Sequence, residues 1–128
     1  MIGQAYRVPV SYGANLFAQE YLPDTTVDEG DVSGPTVVLA HGWCMDHSSW
    51  HRVIEALLRE LAVRIVTYDQ RGHGKSTMGV EHEPSVRILG DDLAEVIDAT
   101  TPGGPIILVG HSMGGMSVMA YAGIHDAA

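Results

Sequence analysis

The chain has 128 residues, which allows one domain at most but enough length for a real core. Its formal net charge of −9 disfavours nucleic acid and anionic membrane surfaces as partners and leaves small neutral or cationic ligands open. Cys44 is the single cysteine, so an intrachain disulfide is excluded.

Met1 to Arg7 lacks the basic segment and apolar run of a secretion signal. No apolar run approaches membrane-spanning length, so a cytoplasmic chain without membrane insertion is expected. Ala5–Val10 and Asn15–Tyr21 flank Ser11-Tyr12-Gly13-Ala14 and predict a β-hairpin. Pro23 to Pro35 is acidic and rich in turn formers, as in a solvated loop. Thr36–Ala40 has the continuous apolar character of a strand covered on both faces. Trp50, Val53, Ile54, Leu57, Leu58 and Leu61 then fall on one helical face, with Ser48 or Ser49 as the expected cap. Val63–Tyr68 returns as a strand. Ser85 to about Thr100 reads as a helix with Val86, Leu89, Leu93, Val96 and Ile97 inward. Pro105–Val109 reads as another buried strand, and Met113–Ile124 as the helix after it. The order is a hairpin followed by β-α-β-α-β-α, which predicts an α/β fold with a mostly parallel sheet and right-handed crossovers.

The last strand stops at Gly110-His111-Ser112-Met113-Gly114-Gly115, a serine between small residues. A G-x-S-x-G turn from strand to helix forces the serine into a strained conformation and brings the flanking positions too close together for side chains. Gly110 and Gly114 meet that demand, and Ser112 is the candidate nucleophile. The helix that follows aims N–H groups at any oxyanion formed beside the hydroxyl.

Three motifs at the ends of three predicted strands carry a resemblance over essentially the whole chain. His41-Gly42-Trp43, Asp69-Gln70-Arg71-Gly72-His73-Gly74-Lys75-Ser76 and Gly110-His111-Ser112-Met113-Gly114-Gly115 resemble, in order and spacing, the N-terminal half of a serine hydrolase of the α/β-hydrolase superfamily. The resemblance implies an oxyanion loop at His41 and Gly42 and an oxyanion hole built from the backbone N–H groups of Trp43 and Met113. It also implies acyl transfer of esterase, lipase or amidase type on a small-molecule acyl substrate, without metal or organic cofactor. Epoxide hydrolases and haloalkane dehalogenases of the superfamily carry aspartate at the elbow, so the serine argues against those chemistries. Cofactor-free perhydrolases and haloperoxidases share the serine and stay open.

In this family the triad acid and histidine follow the serine, yet only Met113–Ala128 do so here. His125 and Asp126 are the sole candidates, and a continuous helix would put His125 roughly 20 Å from the hydroxyl. Neither triad partner is therefore expected within the chain. Residues 1–128 read as a partial domain of a catalytic unit about twice as long, in which the elbow strand forms an open edge prone to self-association. The rival reading is a non-catalytic remnant that binds an acyl ligand or a protein partner.

Other features receive plainer readings. His111 is expected to support the elbow, because adjacent residues on such a turn point apart, and His41 to brace the oxyanion loop. The spacing of Cys44, His47 and His51 could suit a metal, but no second ligand cluster supports one. Gly74-Lys75-Ser76 hints at a phosphate loop, yet Asp69 stands where that motif needs glycine. Asp69 and Arg71 are read as turn-stabilising residues, and Met113, Met116 and Met119 as packing of the helix.

Overall fold

Alternation along the central strands divides their apolar residues between two faces of one sheet. A computed structural model describes residues 2–23 and 34–125. Its strands are β1 (Ile2–Pro9), β2 (Asn15–Tyr21), β3 (Thr36–Ala40), β4 (Arg64–Tyr68) and β5 (Ile106–Gly110), arranged in the order β1-β2-β4-β3-β5. The first two strands form the expected hairpin, and β2 joins β4 antiparallel. Strands β4, β3 and β5 are parallel. Most of the acidic loop expected between Pro23 and Pro35 lies outside the described residues.

Val38, Ala40, Val66 and Tyr68 face a core closed by Leu93, Val96 and Ile97 of α2 (Val86–Thr100), with Val118 and Tyr121 of α3 (Met113–Ile124) packed beside them. Val37, Leu39 and Ile65 face Ile54, Leu57 and Leu58 of α1 (His51–Glu60) on the opposite side. The result is an open sheet with helices on both faces, as the α/β reading anticipates. Gly90 lets α2 and α3 approach closely, since a Cβ there would lie 2.9 Å from Ala120 Cβ and from the Tyr121 nitrogen. Among the described residues no helix is long and apolar enough to cross a membrane.

Four local expectations need correction. The N-cap before α1 is Asp46, not Ser48 or Ser49; its side chain accepts the Ser48 N–H and opens a 3-10 turn, His47–Trp50, ahead of the helix. Val53 and Leu61 are exposed because this short helix covers only β3 and β4. Val86 is exposed at the first position of α2, which Ser85 caps. Strand β5 is covered on one face only by the described residues: Ile106 and Leu108 pack on the α2 side, whereas Ile107 and Val109 are exposed because none of the described helices lies over them.

Candidate active site

Strand β5 ends at Gly110 and α3 begins at Met113, so the chain reverses within two residues. Ser112 sits in that turn with φ 55° and ψ −115°, a conformation that a residue with a Cβ rarely adopts. A Cβ on Gly110 would strike the carbonyl group of Gly114, and one on Gly114 would strike the backbone of Ala40 and His41. The turn is thereby pressed against the end of β3, where the His111 N–H donates to Ala40 O at 3.0 Å. The Gly115 and Met116 N–H groups donate to Ser112 O and close the first turn of α3. The Met113 N–H comes before that turn and has no helical acceptor.

The segment after β3 is anchored from below. His41 is fully buried, with Nδ1 2.7 Å from Gly42 O and Nε2 accepting the Gln70 N–H at 2.8 Å. Only a neutral ring protonated on Nδ1 satisfies both partners. Burial also holds the His41 pKa below its ordinary value, which agrees. Gln70 completes the anchor: its Nε2 donates to His41 O at 2.7 Å, and its Oε1 accepts from Ser117 Oγ of α3 at 2.8 Å. Gln70 and Ser117 thus tie the loop after β3 to the helix that carries the elbow. Neither stood out by residue type, although Gln70 lies within the quoted Asp69–Ser76 motif.

Trp43 projects from this loop with 71% of its surface exposed. Among the described residues its N–H has no acceptor. The two N–H groups expected to form an oxyanion hole are therefore both open. Gly42 leaves space for the exposed His111 ring, whose Nδ1 would stand 2.9 Å from a Cβ there. Trp43 and Met113 also border an apolar hollow of about 390 Å³, walled by Met78, Val86, Leu89 and Met116.

Asp69 and Arg71 hold loops, as read from the sequence. Asp69 is buried and accepts from the His47 N–H and the Lys75 N–H at 2.7 and 2.8 Å, while His47 Nδ1 lies 2.7 Å away. Arg71 grips Asp92 of α2 through Nε and Nη2 at 3.0 and 2.7 Å and donates to Ser11 O at 2.9 Å. Asp46, His47 and Asp69 bring three ligand atoms within 4.8 Å, but the Asp69 and His47 atoms are committed to these hydrogen bonds. Cys44, His47 and His51 do not converge among the described residues; His51 instead lies 3.1 Å from Glu55.

Among the described residues, which include all seven histidines, none hydrogen-bonds the Ser112 hydroxyl. His125 lies at the far end of α3 and is 2.8 Å from Asp91 of α2. Asp126 falls outside the described residues.

A family model for the alpha/beta hydrolase fold matches residues 35–128. Among curated relatives, "Probable oxidoreductase EphD" of Mycobacterium tuberculosis is 36% identical over 94 residues, covering 73% of this chain and 16% of that protein. The 3-oxoadipate enol-lactonase 1 of Acinetobacter baylyi is 33% identical over 99 residues, covering 77% of this chain and 35% of the relative. A thermophilic esterase from Thermogutta terrifontis superposes with a TM-score of 0.71 at 26% identity, covering 96% of this chain and 42% of the esterase. The chain thus spans less than half the length of each of these proteins.

Proposed function

Since the chain belongs to the alpha/beta hydrolase fold family, we propose that it carries the nucleophile half of a serine hydrolase acting on carboxylic esters. The observation that supports this reading best is Ser112 at φ 55°, with Gly110 and Gly114 at positions where the turn leaves no room for a side chain. In the proposed reaction Ser112 Oγ bonds to the ester carbonyl carbon as its proton passes to a general base. The carbonyl oxygen becomes an oxyanion that accepts the Trp43 and Met113 N–H groups, each worth about 3 kcal/mol in the transition state. Collapse breaks the bond to the alcohol, which leaves with a proton, and water then releases the acid from the acyl-serine. The hollow beside Trp43 and Met113 suits an apolar acyl group of modest size.

The base and its orienting acid come from outside these 128 residues in this reading, because no histidine reaches the serine. That same observation favours a second reading for the chain on its own, a remnant that folds and binds without turnover. Hydrolysis of a short-chain p-nitrophenyl ester with imidazole supplied as the outside base, by the chain and by its Ser112→Ala variant, separates the two. A rate lost in the variant is the expected result. Equal background rates would reject Ser112 as a working nucleophile in this chain and leave the remnant reading.

A further inference from the structure

The loop after β3 contains a turn that its own sequence does not favour. Met45 N–H donates to Gly42 O at 3.2 Å, closing a four-residue turn with Trp43 and Cys44 at its centre. Cys44 occupies the third position with φ 64°, where a turn of this kind normally takes glycine or asparagine. The Cys44 N–H belongs to an exposed residue but has a partner within the chain. It donates to His73 Nε2 at 3.1 Å, across 29 residues of sequence. His73 Nδ1 lies 3.0 Å from Arg71 O, and the ring tilts against His41 with centroids 5.1 Å apart. A ring that accepts an amide at Nε2 and faces a carbonyl at Nδ1 satisfies both only when neutral and protonated on Nδ1.

We propose that His73 is a positioning residue: its Nε2 captures the Cys44 N–H and so latches the strained Trp43–Cys44 turn in the shape that leaves the neighbouring Trp43 N–H open to a ligand oxygen. The consequence for catalysis rests on the oxyanion-hole reading above; the latch itself does not.

Nuclear magnetic resonance of the ¹⁵N-labelled chain tests this without any hydrolysis. The His73 ring is expected to be protonated on Nδ1 and bare on Nε2. His73→Leu should speed hydrogen exchange at the Cys44 amide by about tenfold, the loss of one hydrogen bond, while amides of Val38 and Val66 in the sheet hold their rates. His73→Gln, whose side-chain carbonyl can accept the same N–H, should restore part of the protection. A ring protonated on Nε2, or unchanged Cys44 exchange in His73→Leu, would overturn the proposal. If His73→Leu does not fold, the wild-type tautomer decides. Ester rates independent of Ser112 would end the catalytic reading and leave the latch standing, whereas a failed latch leaves the nucleophile untouched.

Discussion

Ser112 and Cys44 hold side chains where the backbone suits glycine, and each adjoins an open N–H, that of Met113 and that of Trp43. Such strain costs about 1–3 kcal/mol per residue and persists only where the surroundings impose it. At Ser112 the imposition is steric, because Gly110 and Gly114 press the turn between β3 and β5. Removing the side chain should therefore release strain. Ser112→Gly is expected to be more stable than Ser112→Ala by about 1 kcal/mol in chemical denaturation, despite the larger backbone entropy of glycine in the unfolded chain. A glycine variant no more stable than the alanine variant would mean that the turn is relaxed. The strain at Ser112 was legible from its flanking glycines. That at Cys44 was not, because its support comes from His73 and leaves no local signature.

Between elements, Arg71 is the principal tie: it binds the loop after β4 to Asp92 on α2 and to Ser11 in the hairpin turn. The ion pair is buried, with side-chain exposures of 3% and 4%. Removing one partner leaves an uncompensated buried charge, so Asp92→Ala should destabilise the chain by about 3–5 kcal/mol, read as a lower denaturant midpoint. Replacing both residues with leucine should recover much of that loss. A single variant that unfolds at the wild-type midpoint would show that water reaches the pair. Helix periodicity had placed α2 well, from a start at Ser85, which the structure makes its cap, to the buried Leu93, Val96 and Ile97. It served α1 less well, since Asp46 starts that segment as a 3-10 turn and the helix is too short to bury both ends of its apolar face.

At the scale of the molecule, β5 is an edge of the described sheet, and Ile107 and Val109 are exposed on it, as are Met116, Met119 and Ile124 on α3. An unpaired apolar strand of this kind is a template for pairing with a second copy. Sedimentation is expected to show association that grows with concentration and weakens in a Val109→Lys variant; a monomer at every concentration would contradict this. Element order, the two-faced core and the Ser112 elbow could be read from spacing alone, because apolar period and the steric demands of flanking glycines act between near neighbours. The edge position of β5 followed from the family resemblance, but its uncovered face did not, since coverage depends on where α1 packs. The tautomers of His41 and His73 and the Gln70–Ser117 tie emerge only from the folded chain. Each depends on a hydrogen bond between residues far apart in sequence, 29 for His41 with Gln70 and for His73 with Cys44 and 47 for Gln70 with Ser117, and no local period encodes which distant groups the sheet brings within reach.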